Sequence, residues 1–192
     1  VFFNTLPQRQ FINGWAEIFK HALIQDQHQW QQYKEMDVLH TDMNDIVFLS
    51  LQIKKAVVEA DPFEKGLRKI LNFGHTIGHA IEAYSLENEK DSLLHGEAIA
   101  IGMICEAYLS VKKSGLTESE LEEIKTVLLK HFPKHDITSF DTDKLLSIMS
   151  IDKKNEGDTI LAALLPEIGK CEYDMVLTKE DVKESLAFYA SL

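Results

Sequence analysis

Residues 68–103, "RKILNFGHTIGHAIEAYSLENEKDSLLHGEAIAIGM", place three histidines, His75, His79 and His95, among glycines and apolar residues. With residues 72–84 helical, His75 and His79 share a face because they are four apart, and His95 returns at the start of the following helix. Three imidazoles could then converge. Neutral imidazole suits zinc or another first-row divalent ion, and a catalytic zinc site commonly combines histidines with a carboxylate and keeps one position open. Glu17, in "GWAEIFKHALI", is the candidate carboxylate, since it lies on an apolar stretch of helix where an unpaired charge is costly. The plainer alternatives are that each histidine is a hydrogen-bonded core residue and that Glu17 pairs with Lys20 or His21 one turn on. His28, His40, His131 and His135 stand in polar or terminal contexts and read as solvated. Cys105 reads as a small core hydrophobe.

The elements that must position these residues are mostly helices. Residues 13–35 start apolar at helical spacing and turn polar, the pattern of a helix leaving a core. Thr41 is placed to cap a second helix, which Asp61-Pro62 ends. A third helix runs from near Asn72 to Tyr84, and the polar "SLENEKDS" reads as an exposed loop. A fourth, from about Gly96 to Gly115, is apolar nearly all round and therefore buried. Thr117 and Glu120 have capping-box spacing and open a fifth, which Pro133 stops. A short helix near Leu145 precedes a change of texture. There "TILAALLPEIGKCEYDMVLT" has β-prone runs about a Pro/Gly turn, and "KEDVKESLAFYASL" closes as a helix. The expected fold is mainly α, a multi-helix domain with one small β-hairpin.

Composition bounds the function. A chain of 192 residues with 45% hydrophobic content fills one sizeable core. A formal charge of −11 repels nucleic acid, so an anionic ligand must be held by a few isolated Lys and Arg residues in apolar surroundings. Apolar runs fall far below the roughly 18 residues of a membrane span, and "VFFNTLPQRQ" lacks the basic and apolar blocks of a signal peptide. Two cysteines, Cys105 and Cys171, make neither a disulfide framework nor a thiolate zinc site, and a reducing cytoplasm is the expected compartment. None of the glycines forms a phosphate-cradling run after a strand, for Gly74 and Gly78 lie within the histidine signature.

Four stretches in order, "LPQRQFINGWAEIFKHALI", "EKGLRKILNFGHTIGHAIEA", "LLHGEAIAIGM" and "DKKNEG", resemble successive signatures of the C-terminal domain of the 3-dehydroquinate synthases. The pair "NFGHTIGHA" and "HGEA" is specific to the sugar-phosphate cyclases and their close relatives. Leu71 and Asn72, before "FGH", resemble dehydroquinate synthases more than the cyclases of sedoheptulose or glucose phosphates. The resemblance implies Glu17, His75 and His95 as ligands of Zn2+ or Co2+, with His79 as a non-ligand histidine of the active site. It places Lys20 near the substrate hydroxyls, Lys54 and Arg68 on the substrate carboxylate, and Asn72, His79 and Lys153, or the adjacent Lys154, around the phosphate. Glu64 would order the cations. Taken without the resemblance, these cations are surface residues of helices.

The implied reaction converts 3-deoxy-arabino-heptulosonate 7-phosphate to 3-dehydroquinate and phosphate, an NAD- and metal-dependent elimination and cyclisation in the shikimate route to aromatic amino acids. The family's Rossmann-type NAD domain has no counterpart in residues 1–192. These are expected to form the C-terminal metal- and substrate-binding domain, inactive alone, of an enzyme that is a homodimer when complete. The partner implied is a phosphorylated sugar acid, with neither nucleic acid nor membrane. Two other readings stand beside it. In an iron-type alcohol or polyol dehydrogenase, Glu17 and His21 would mimic a helical carboxylate-x-x-x-His ligand pair, but Lys54, Arg68 and Asn72 would have nothing to hold. In a non-enzymatic all-α interaction domain the histidines would be structural.

Overall fold

Asp26 decides how the chain enters its core. The computed structural model describes residues 5–151 and 159–192. In it the expected helix over 13–35 is two, α1 (Gln8–Gln25) and α2 (Gln27–Tyr33). Asp26 leaves the helical region at φ −148°, and its carboxylate accepts from Gln29 N at 2.9 Å, which caps α2. Helical periodicity runs through the break, so only the short polar side chain competing for the backbone signals it. The turn brings Trp30 and Tyr33 back onto α1, with ring centroids 6.0 Å from Phe19 and 6.2 Å from Trp15, respectively.

Next come α3 (Met43–Ala60), a 3-10 helix (Leu67–Asn72), α4 (His75–Asn88), α5 (His95–Lys113), α6 (Glu118–His131) and α7 (Thr142–Ile151). The chain closes with an antiparallel hairpin of β1 (Ile160–Glu167) and β2 (Lys170–Leu177), and α8 (Lys179–Ser191). The class is mainly α with one hairpin, as the periodicity predicts. Asp42 rather than Thr41 caps α3, accepting from Asn44 N at 3.0 Å, while the Thr41 hydroxyl donates to Asp37 O. Both are N-cap residue types, and the chain uses the second. The third expected helix starts later, at His75, because Gly74 takes φ 79° after the 3-10 helix. It also ends later, at Asn88, so the first four residues of "SLENEKDS" are helical.

α5 is apolar all round because it lies at the centre, with α1, α4, α6, α8 and β1 packed about it. Ile99, Met103, Ile104, Cys105 and Leu109 are all buried there. β1 is the inner, buried strand and β2 the outer, largely exposed one. His28 and His40 are exposed, but His131 and His135 are not the solvated residues expected. His131 stacks on Phe19 with centroids 5.5 Å apart, and His135 Nε2 lies 2.9 Å from Glu89 Oε1. The end of α6 packs on α1 and the segment after it on the end of α4, which local polarity does not reveal.

α4 and α5 touch through backbone. A Cβ at Gly102 would sit 1.9 Å from Gly74 O and 2.7 Å from Gly78 N. Gly102→Ala must force the helices apart, and a loss of about 1–3 kcal/mol is expected, lowering the Tm by roughly 2–4 °C per kcal/mol. Gly14→Ala is the control: Gly14 is exposed in α1 with nothing within 4 Å of such a Cβ. It should gain about 0.5–1 kcal/mol. Equal melting temperatures for the two variants would refute the close approach.

Candidate active site

His75 opens α4, His79 lies one turn on, and His95 opens α5. Their rings meet, with centroids 4.9 Å apart for His75 and His79, 5.5 Å for His75 and His95, and 5.7 Å for His79 and His95. One ligand atom from each lies within 4.8 Å of the others. His79 is exposed, whereas His75 and His95 are partly buried.

Second contacts fix the chemistry of two of the rings. His75 Nδ1 donates to Phe73 O at 3.1 Å, since that oxygen can only accept, and this turns Nε2 away from the backbone. His95 Nδ1 donates to Glu82 Oε2 at 2.9 Å, again leaving Nε2. Glu82 is a site residue that the motif reading misses. His75 Nε2 faces Glu17 Oε1 at 3.3 Å, and that oxygen is buried without a hydrogen-bond partner. An imidazole nitrogen and a carboxylate oxygen so placed share either a proton or a cation. Ligand atoms about 2.0–2.1 Å from a tetrahedral zinc stand about 3.3 Å apart, so the pair fits a metal edge. The donor set therefore suits a divalent ion.

Glu17 also accepts from Lys20 Nζ at 2.7 Å, the helical pairing anticipated from spacing alone, and Lys20 is buried. Burial holds the Lys20 pKa below its usual range against the pull of Glu17, and the charge of Lys54 on α3 pushes the same way. Burial also works to raise the Glu17 pKa, yet His75 and Lys20 outweigh it and hold the carboxyl well below the usual range. His21 Nδ1 lies 2.7 Å from Ser50 Oγ, while its Nε2 stops 3.8 Å from Glu17 Oε2. Burial pushes His21 down to about 4, so it stays neutral at pH 7.

The remaining candidates sit on the segment leading into α4. Asp61 accepts from the backbone N–H groups of Lys65, Gly66 and Arg68 at 3.0, 2.7 and 3.1 Å, and so shapes the turn. Glu64, at φ 55°, accepts from Asn72 Nδ2 at 3.0 Å. Arg68 Nη1 donates to Pro62 O at 3.0 Å, and Lys54 is exposed on α3. Lys153 and Lys154 lie outside the described residues.

A clamp joins the helix of Glu17 to that of His95. Arg9 Nε and Nη2 each donate to Glu97 at 2.8 Å, while Nη1 and Nη2 reach Asp91 Oδ1 at 3.1 Å and Ser92 O at 3.0 Å. Asn13 Oδ1 accepts from Gly96 N at 2.5 Å. On the other side of the loop, Ser85 Oγ donates to Glu89 Oε2 and accepts from Leu93 N at 2.8 Å. Arg9 and Asn13 fall inside the stretch "LPQRQFINGWAEIFKHALI", but the resemblance gives them no role.

Fold and site together define a mainly helical domain with three histidines that could hold a metal ion, gathered at the starts of α4 and α5 beside Glu17 of α1. Residues 14–155 match the family described as 3-dehydroquinate synthase C-terminal, and the chain belongs to that family. It is 37% identical over 191 residues to a 3-dehydroquinate synthase of Parabacteroides distasonis, covering 98% of this chain and 54% of the relative. A 3-dehydroquinate synthase of Clostridium botulinum is 37% identical over 169 residues, 86% of this chain and 47% of its own length. The chain thus spans about half the length of the curated relatives it matches.

Among solved structures, 2-epi-5-epi-valiolone synthase of Streptomyces hygroscopicus, with NAD+ and Zn2+ bound, shares the fold. Its TM-score is 0.78 at 24% identity, over 99% of this chain and 54% of that one. A 2-deoxy-scyllo-inosose synthase complexed with carbaglucose-6-phosphate, NAD+ and Co2+ aligns with a TM-score of 0.76 at 26% identity, over 94% of this chain and 52% of that one. Among the described residues no helix is long and apolar enough to cross a membrane.

Proposed function

We propose that this chain is the metal- and substrate-binding half of a 3-dehydroquinate synthase, working with a Rossmann-type NAD-binding half on 3-deoxy-arabino-heptulosonate 7-phosphate. The observation that carries the reading is the orphaned Glu17 Oε1 facing His75 Nε2, beside two further histidines and the buried Lys20. Glu17, His75 and His95 hold the ion in this reading, since Glu17 Oε1 is buried without a hydrogen-bond partner and His79 is exposed. Zinc or cobalt bound there supplies Lewis acidity toward a ring hydroxyl. NAD, held by the other half, supplies reversible hydride transfer. The NAD+ and Co2+ of the inosose synthase support both assignments.

The chain's own residues orient the substrate. Lys20, fixed by Glu17, points its ammonium at the hydroxyls. Arg68 and Lys54 grip the carboxylate, while Asn72 and His79 face the phosphate with Lys153. Glu64 holds the Asn72 amide in place. Orientation and charge complementarity are what these side chains contribute, and an elimination that releases phosphate needs both.

The test is phosphate release by the complete protein that contains this chain. Release from the heptulosonate phosphate should require NAD, stop on chelation and return with Zn2+ or Co2+. Equal turnover of sedoheptulose 7-phosphate would replace the reading with a sister cyclase, and no release from either substrate would end it.

A further inference from the structure

Glu106 is fully buried in the middle of the apolar helix α5, and no motif marks it. Its two oxygens turn to the start of α4, where Oε2 accepts from Gly74 N at 2.6 Å and Oε1 from Ile77 N at 3.1 Å. Those amides are the N-cap and third-residue donors of α4, groups that no helical carbonyl can satisfy. A side chain at the N-cap normally does so. Here the N-cap must be glycine, since Gly74 has φ 79° and a Cβ on it would lie 2.4 Å from Met103 Cγ. The helix that opens with His75 therefore has no cap of its own. An apolar side chain of similar volume would fill the place of Glu106 at less desolvation cost. What glutamate adds is two acceptors aimed at α4.

We propose that Glu106 is a positioning residue for the metal site, capping α4 from α5 so that His75 and His79 are held at the height and rotation where their rings meet His95. This rests on the metal reading above. His75 is the first residue of α4, so any slack in that turn moves Nε2 directly, and α5, which carries Glu106, also carries His95. One side chain thus ties the two histidine-bearing helices together at the start of α4, about three turns along α5 from His95. Outer partners of this kind are worth about 10- to 100-fold in metal affinity.

The experiment is Co2+ titration of the complete protein, read by visible absorption bands that report coordination geometry, with circular dichroism to follow folding. Glu106→Gln keeps shape and one acceptor but turns an amide donor toward an N–H. It should fold, bind Co2+ about 10- to 100-fold more weakly and show altered bands. Glu106→Asp, which keeps a carboxyl but is one methylene short, should weaken binding in the same direction. Lower thermal stability with unchanged Co2+ affinity and bands in either variant would make Glu106 merely structural and overturn the proposal. Amide exchange in the unmodified protein serves where neither variant folds. Gly74 and Ile77 N–H should exchange only with global unfolding, and exchange at loop rates would overturn the cap. Failure of the unmodified protein to bind Co2+ counts instead against the metal reading, and the exchange result still judges the cap.

Discussion

A variant carrying both His75→Ala and His95→Ala should lose its divalent metal while keeping its helices. Both rings are tied through Nδ1, to Phe73 O and Glu82; His75 Nε2 faces Glu17 Oε1, and His95 gathers with His75 and His79. Zinc affinities on the order of 10–16 kcal/mol, spread over three or four ligands, leave about 3 kcal/mol or more on each. Removing two should weaken binding at least about a thousandfold. The fold should survive, because the rings lie at the edge of the core and alanine favours a helix. Elemental analysis of the complete protein is the measurement, and metal content equal to that of the unmodified protein would sink the site. Two single variants sort the ligands. Glu17→Gln should lose metal and His79→Ala should retain it. The reverse result would put His79 among the ligands and leave Glu17 as the partner of Lys20.

Arg68→Ala should cut kcat/KM for the heptulosonate phosphate by roughly ten- to a hundred-fold and leave metal content intact. A charge-assisted bond lost from a desolvated cleft is worth about 1.5–3 kcal/mol, which is that range in rate. The side chain is already restrained by its bond to Pro62 O and by the Asp61 turn, so little ordering remains for the substrate to impose. Sedoheptulose 7-phosphate lacks the carboxylate, and its slow turnover should not fall further. Arg68→Lys should recover only part of the loss, since a point charge does not reproduce a planar fork. An undiminished kcat/KM in Arg68→Ala, measured with the heptulosonate phosphate, would remove this arginine from the carboxylate site.

Much of this could be read from local patterns. The capping box of Thr117 and Glu120, the stop at Pro133, the buried helix after His95 and the hairpin about its turn all rest on neighbours within a few residues. The encounter of His75 with His79 follows from helix spacing, and that of His95 from its place at the next helix start. What local patterns miss is supplied from afar. Glu106 looks like an isolated polar slip in "AIGMICEAYLS", and Arg9 and Asn13 look like ordinary helix-surface residues. Their partners lie 29 or more positions away, where no periodicity points. The break at Asp26 was visible as a residue type but not as an event, because the apolar spacing continues through it. His131 and His135 were misread for the same reason, since what covers them comes from α1 and from the end of α4.

The clamp around the loop after α4 has a practical corollary. One margin is stapled by Ser85, Glu89 and His135, and the other by Arg9 and Asn13, so the chain is anchored before it departs and again before it returns to His95. Between Glu89 and Asp91, the inner ends of the two anchors, Lys90 is exposed. Length in that interval is thereby uncoupled from ligand geometry, for lengthening a surface loop costs only about 0.6 kcal/mol per doubling. A fluorophore or affinity handle attached at the exposed Lys90 should therefore leave the histidine cluster and its metal content undisturbed.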